Sequence, residues 1–83
     1  MTDSILTVIV REKNKTLFNG SAKSITSTNE KGRFDILPMH TNFVSIVHEV
    51  LELIKPDNSI HKIPIQRGIL RIKENNVEVY IGL

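Results

Sequence analysis

The sequence predicts an all-β fold, an antiparallel β-sandwich or flattened barrel of about eight to ten short strands. Ile, Val and Leu dominate the apolar residues, beside only three phenylalanines, one tyrosine and no tryptophan, and β-branched residues favour strands. Turn-forming residues also recur about every eight to twelve positions, as they do in sandwiches and barrels. Because 83 residues suffice for one core but not for two, we expect a single domain over residues 1–83.

The first half of the chain contains four predicted strands. Residues 5–10 form a β-branched run, and the turn at residues 12–15 returns the chain into a short strand at 16–18, which Asn19-Gly20 closes. Residues 21–28 alternate but are so polar that we expect an exposed strand.

The fourth strand, residues 33–37, follows a turn at residues 29–32. It is expected to end at Pro38, because proline donates no ladder hydrogen bond and forces Leu37 into extended geometry. His40 then lies at a corner of the chain.

The most apolar segment, residues 43–54, allows two interpretations. Its apolar residues recur at helical spacing, which favours a helix. The segment is nevertheless heavily β-branched and has no convincing helix cap before it. We therefore predict two short strands with a bend near His48 and Glu49, with the helix as the alternative.

The last third of the chain alternates turns and strands. Pro64 predicts that its strand lies at a sheet edge, since a central strand needs every backbone N–H. The predicted turns are residues 55–59, 66–68 and 74–76, and the predicted strands are residues 60–65, 69–73 and 77–81.

Composition narrows the class of protein. The absence of cysteine excludes disulfides and thiolate metal sites and fits a reducing compartment. The acidic, polar N-terminus is unlike a signal peptide, and no stretch approaches the roughly 18 apolar residues of a membrane span. The formal net charge of +2 comes from 11 basic and 9 acidic residues, which are dispersed along the chain.

No pattern of residues predicts chemistry. The histidines His40, His48 and His61 have no close metal-ligand spacing, and there is neither a nucleophile elbow nor a phosphate-binding loop. We expect no catalytic residue, metal or cofactor. A small nucleic-acid-binding β-barrel stays open as an alternative, although Phe34 and Tyr80 are its only plausible stacking aromatics.

The stretch around Pro38 resembles a motif of the epsilon subunit of the rotary F-type ATP synthase, in its N-terminal β-sandwich domain. The matching residues are Gly32, Phe34, Ile36, Leu37, Pro38 and His40. The similarity continues upstream in residues 6–10, 17–20 and 22–26, and downstream in residues 68–72 and 76–79. It therefore covers nearly the whole chain in register.

The resemblance implies a non-catalytic rotor subunit that couples the gamma subunit to the c-ring in the central stalk, with no nucleic-acid partner. It would meet a bacterial-type energy-transducing membrane only through the complex, on the cytoplasmic face. By position, Arg33 and His40 are carried over to the end that faces the c-ring, and Ser45 to the gamma side.

Three departures from the family pattern bear on these expectations. Met39 replaces a glycine, and Arg33 stands where an acid that faces the c-ring is common. The given sequence also ends at Leu83, where the family continues into an inhibitory helical hairpin. We therefore expect this chain neither to inhibit ATP hydrolysis nor to bind a nucleotide.

Overall fold

The computed structural model describes residues 5–82, which form seven strands in one continuous sheet. The strands are β1 Leu6–Glu12, β2 Lys15–Ala22, β3 Ser24–Asn29, β4 Gly32–Ile36, β5 Phe43–Ile54, β6 Ile60–Lys73 and β7 Asn76–Ile81. Their order in the sheet is β2-β1-β7-β6-β5-β3-β4. Only the β1–β7 pair among these described strands is parallel. The all-β, mostly antiparallel prediction is confirmed, and no helix in the described residues could span a membrane.

Two long strands divide the sheet into two halves. In β5 the pairing with β6 shifts between Val47 and Glu49, and Glu49 has a φ of 75°, so the strand bends there. In β6 the bend falls near Gly68, where an added Cβ would lie 2.7 Å from the Tyr80 carbonyl oxygen. A side chain is excluded at this point because the backbone of β7 passes too close.

The bends bring the halves face to face as a sandwich. We call one the β7 half: β2, β1, β7, residues 68–73 of β6 and residues 43–47 of β5. The β3 half contains β4, β3 and the remaining parts of β5 and β6. Leu6 and Ile36 come from opposite ends of the strand order yet belong to one buried cluster, which requires the sheet to fold over on itself. The core consists of Leu6, Val8, Val10, Ala22, Ile25, Ile36, Val47, Leu51, Leu53, Ile65, Leu70, Ile72, Val77, Val79 and Ile81.

The structure corrects the predicted strand number from eight to ten down to seven in the described residues. Residues 43–54 are one bent strand, with the bend where it was expected. Residues 66–68 are not a turn, because β6 continues along β5 on both sides of the bend. Asn19 and Gly20 do not form a turn either, since they pair with Ile9 and Val8 inside the β1–β2 ladder.

β3 is more central than its polar sequence suggested. It lies between β5 and β4 and buries Ile25 and Ser27. The Ser27 hydroxyl donates a hydrogen bond of 2.8 Å to the Val50 carbonyl, which satisfies the one polar side chain buried in the described core. The prediction of an exposed strand therefore holds only for the outward face of β3.

The turn at residues 55–59 is confirmed. The Asn58 N–H donates to the Lys55 carbonyl at 2.8 Å, and the N–H and hydroxyl of Ser59 donate to the Asp57 carboxylate at 2.9 and 2.6 Å. The hydroxyl bond, and then the backbone bond, hold the pKa of Asp57 below its usual value. Pro64 pairs with Val50 on the outermost strand of the β3 half, as predicted for an edge.

Candidate partner-binding surfaces

The β7 half exposes a set of large apolar side chains on its outer side. Val44, Ile46 and Tyr80 are 65%, 48% and 46% exposed, and Ile9 and Ile69 are half-buried beside them. We call these five residues the apolar face. A contiguous exposed apolar surface on a small domain marks a site where another molecule binds.

The strand register assembles the apolar face from distant parts of the chain. Ile46 on β5 lies opposite Ile69 on β6, and Ile69 lies opposite Tyr80 on β7. Val44 continues the face two residues before Ile46, since alternate residues of a strand share a side. Each of these strands buries its other side in the core, so the outward positions are fixed by the same alternation that builds the core.

Charged residues of both signs lie around the apolar face. Arg11 lies beside Tyr80 in the β1–β7 register, and Arg71 and Lys73 extend outward from β6. Glu78 is the only acid that points outward from the described parts of these three strands. It accepts a hydrogen bond of 3.2 Å from Arg71. Two further acids lie in adjoining turns, Glu74 beside Lys73 and Glu30 beside Val44 and Ile46, so the surroundings of the face carry no net excess of positive charge.

The outer side of the β3 half exposes Ile60 but otherwise carries charged and polar residues of both signs. We call Thr26, Arg33, Asp35, Glu52 and Lys62 the paired face. Arg33 forms an ion pair with Glu52 at 3.2 Å, and the Thr26 hydroxyl donates to Asp35 at 2.5 Å. Lys62 lies opposite Glu52 in the β5–β6 register. Within this surface, Arg33 and Glu52 are thus paired, Asp35 accepts a hydroxyl, and Lys62 adds a second cation beside Glu52.

Arg33, one of the predicted partner contacts, belongs to the paired face. Its side chain is 63% exposed, whereas the Glu52 side chain is 18% exposed. Its guanidinium is thus tethered by an acid of its own chain but stays accessible to a partner.

His40 lies in the loop between β4 and β5, at one end of the sandwich. Its ring packs edge-on against Phe43 with centroids 5.6 Å apart, and its Nδ1 lies 2.7 Å from the Thr41 carbonyl. The loop is fastened where the Met39 N–H donates to the Asn75 side-chain oxygen at 2.7 Å. Arg33 lies at the start of β4 and His40 lies in the loop beyond its other end; no hydrogen bond or ion pair joins them among the described residues.

Ser45 lies between the exposed residues Val44 and Ile46 on β5 but points to the other side. Its hydroxyl accepts a hydrogen bond of 3.1 Å from Asn29 and donates to the Ile46 carbonyl at 3.1 Å. The predicted position thus falls next to the apolar face, whereas its neighbours Val44 and Ile46 are the side chains that a partner would touch. The alternation of side chains along β5 is the feature of the sequence from which Val44 and Ile46 could have been predicted as the exposed residues.

The fold and these surfaces define a small β-sandwich domain with an apolar surface suited to binding another protein. A family model described as the ATP synthase delta/epsilon chain beta-sandwich domain matches residues 5–81. The chain belongs to this family.

Curated relatives agree with the family match. An ATP synthase epsilon chain of Clostridium botulinum strain Eklund 17B is 35% identical over 81 residues, which are 96% of this chain and 60% of that protein. The corresponding protein of Sulfurimonas denitrificans is 29% identical over 69 residues, 82% of this chain and 53% of its own length. The chain thus spans between half and two thirds of the length of these relatives.

Solved structures share the fold. A chain in the Euglena gracilis mitochondrial ATP synthase structure, titled OSCP/F1/c-ring, has a TM-score of 0.87 at 14% identity and matches 94% of this chain and 51% of its own length. A chain in the central stalk/c-ring structure of the Tetrahymena thermophila mitochondrial ATP synthase has a TM-score of 0.72 at 13% identity, over 92% of this chain and 62% of that one. At such low identity the likeness concerns the fold alone.

Proposed function

We propose that this chain is a non-catalytic rotor subunit of a rotary ATP synthase, in which it couples the gamma subunit to the c-ring. The exposed apolar face carries the proposal, because four of its large side chains, Val44, Ile46, Ile69 and Tyr80, form a continuous surface that water covers in the isolated domain. Burying such a surface against a protein is favourable by about 25 cal/mol per Å² before the costs of association. The titles of the solved structures name the c-ring and the central stalk, and the gamma subunit is the partner that the family resemblance implies.

In this proposal the apolar face binds the gamma subunit, and Ser45 marks that side. Arg33 on the paired face and His40 in the end loop are directed towards the c-ring. The domain performs no chemistry and uses no cofactor. It transmits torque through two interfaces, which a sheet with a single continuous core keeps in a fixed relation.

The proposed location of this chain follows from the location of the ATP synthase complex. The chain would sit at the cytoplasmic face of an energy-transducing membrane and reach that membrane only through the c-ring. The described residues 5–82 contain only strands, turns and loops, so we also expect the 83-residue polypeptide by itself neither to inhibit ATP hydrolysis nor to bind ATP. A titration calorimetry experiment that gave micromolar affinity for ATP would contradict the second expectation.

Co-purification tests the main proposal. A tagged form of the whole chain, expressed in its source organism, should bring the gamma subunit and the c-ring out of solubilised membranes. Ile46→Asp should abolish recovery of the gamma subunit, because it buries a carboxylate in that interface. Ile60→Asp is the matched control: Ile60 is 57% exposed on a strand of the β3 half, and this variant should retain both partners. Equal yields from the two variants would exclude the apolar face as the binding site.

A further inference from the structure

Each half of the sandwich ends in two edge segments among the described strands. The β7 half ends at β2 and at residues 43–47 of β5, and the β3 half ends at β4 and at residues 60–65 of β6. Charged residues and proline on an edge strand keep foreign strands from pairing with it. Three of the four edges carry such residues: Lys15 in β2, Arg33 in β4, and Lys62 and Pro64 in β6. Residues 43–47 contain neither a charged residue nor proline, so this edge is open to another strand.

The register shows which backbone groups of the open edge are free. The Gly82 N–H donates to the Arg67 carbonyl at 3.1 Å, so within residues 67–73 the odd-numbered residues of β6 bond with β7 and the even-numbered ones bond with β5. The even-numbered residues lie opposite positions 43, 45 and 47. The N–H and C=O groups of Val44 and Ile46 therefore point away from β6, to a side where no described strand pairs with them.

A groove of about 330 Å³ runs along this open edge. Val44, Ser45 and Ile46 line it on one side, and Asn29 and Glu30, where β3 turns towards β4, line it on the other. The Ser45 hydroxyl donates to the Ile46 carbonyl at 3.1 Å and partly replaces the missing strand. Because the groove borders outward and inward side chains of β5 alike, it occupies the place of a further strand in the sheet.

We propose that an extended segment of the partner protein pairs with residues 43–47 as an added strand of the β7 half. Val44 and Ile46 belong both to the open edge and to the apolar face, so a protein that covers the face also reaches the edge. Main-chain hydrogen bonds would hold the segment, and its alternate side chains would give specificity. The inference rests on the proposed function, which makes the gamma subunit the source of the segment.

The two sides of the groove define the chemistry of this segment. Its outward side chains would lie beside Val44 and Ile46 and are expected to be apolar. Its inward side chains would reach Asn29 and Glu30, and Glu30 forms no ion pair with any residue from 5 to 82. A polar or basic residue is therefore expected on the inward side.

A second copy of this chain fits the open edge poorly. Two-fold antiparallel pairing about Ser45 would place the inward sides of both copies on the same side of the joined sheet. The turn with Glu30 lies on that side, beside the edge. Each turn would then approach its symmetry mate and bring two acids together, which costs free energy. The groove suits a single strand better than a second sandwich.

The test compares two substitutions at one position. Val44→Pro removes the N–H that faces the open edge, whereas Val44→Ala shortens the side chain and keeps the N–H. Neither removes a hydrogen bond between β5 and β6, so both variants should fold, which circular dichroism and urea denaturation check. Titration calorimetry of the whole chain with purified gamma subunit from the same source should give a Kd at least about tenfold weaker for Val44→Pro than for Val44→Ala.

Amide hydrogen exchange of the unmodified chain provides a second measurement, which does not depend on the folding of a variant. The N–H groups of Val44 and Ile46 should exchange rapidly in the free chain and at least about tenfold more slowly in the complex with gamma. Those of Phe43 and Ser45, which already bond with β6, should be protected in both states.

The outcomes separate this inference from the proposed function. If the unmodified chain binds gamma, but the two Val44 variants have equal Kd and the exchange of Val44 and Ile46 is unchanged, the inference is wrong and the proposed function stands. If the unmodified chain does not bind gamma, both are wrong. A dimer of the chain in analytical ultracentrifugation that Val44→Pro abolishes and Val44→Ala retains would overturn the inference in favour of a second copy.

Discussion

The two outer faces of this sandwich arise from the same alternation of side chains but present opposite surfaces. On the paired face Arg33 and Glu52 form an ion pair, and Thr26 binds Asp35. On the apolar face, Ile46, Ile69 and Tyr80 are exposed or half-buried to no structural benefit of the isolated domain. The difference teaches that folding determines the inward residues of each strand. An outward surface that leaves large apolar side chains exposed reflects a second requirement, which we assign to binding.

The largest expected effect is a loss of stability from a substitution at the bend that separates the two faces. Gly68→Ala places a Cβ 2.7 Å from the Tyr80 carbonyl oxygen, so β6 and β7 must separate at the bend. We expect the free energy of unfolding to fall by about 2 to 3 kcal/mol, measured by urea denaturation. Gly20→Ala is the control, because there the nearest atom is a Phe18 ring carbon at 3.4 Å; its effect should stay within about 0.5 kcal/mol. Similar losses from both variants would show that the bend does not depend on Gly68.

The next largest effect comes from removing the aromatic side chain of the apolar face, which leaves the fold intact. Tyr80→Ala should weaken binding to the gamma subunit by about 2 kcal/mol, which is roughly 30-fold in Kd, because tyrosines that become buried in an interface are frequent hot spots. Titration calorimetry with purified gamma measures the change. Ile60→Ala, on the other half of the sandwich, should leave Kd unchanged. A Tyr80→Ala variant that binds as tightly as the Ile60→Ala variant would remove the distinction between the two faces.

A smaller effect on stability tests the paired face. Arg33→Glu breaks the ion pair with Glu52 and places two acids together, but Arg33 is 63% exposed. The free energy of unfolding should therefore fall by less than about 1 kcal/mol. If Arg33 meets the c-ring, co-purification of the ring should fall strongly while gamma is retained. Arg33→Gln separates loss of the charge from its reversal. Unchanged recovery of the ring would leave Arg33 with a role in the domain alone.

Most strands and turns could be predicted from the sequence, whereas the pairing of distant strands could not. The bend near Glu49 and the edge position of Pro64 follow from local preferences, and both are confirmed. Gly68 was assigned to a turn because Gln-Arg-Gly is a local turn signal, whereas its actual role depends on β7 passing within van der Waals distance. The polar alternation of residues 21–28 predicts that Ser27 is exposed. Its burial depends on a hydrogen-bond acceptor, the Val50 carbonyl, that lies 23 residues away along the chain.

The apolar face could not be predicted for the same reason. Ile46, Ile69 and Tyr80 become neighbours only when β5, β6 and β7 pair in the observed register. Arg11 joins them through the parallel pairing of β1 with β7, which links the two ends of the chain and has no local sequence signal. The resemblance to a family located Ser45, one residue away from the exposed side chains, but it did not show which way each side chain points.

The smallest effect concerns the end loop, which connects a strand of the β3 half to a strand of the β7 half. Met39 has a φ of 70° and is 70% exposed, so its backbone is strained and its side chain buries little. Met39→Gly relieves strain of roughly 1 to 2 kcal/mol but increases the freedom of the unfolded chain by about 0.4 to 1 kcal/mol. We expect a net stabilisation of about 0.5 kcal/mol in urea denaturation.

Met39→Ala isolates the cause, since alanine removes the same side chain and keeps the strain. It should give no stabilisation, and equal stability of the alanine and glycine variants would exclude backbone strain as the explanation. Because the loop lies outside the apolar face, Met39→Gly should also bind the gamma subunit with unchanged Kd. A change in stability without a change in binding is the opposite of the result expected for Tyr80→Ala, and the two variants together separate the residues that maintain the sandwich from those that serve its partner.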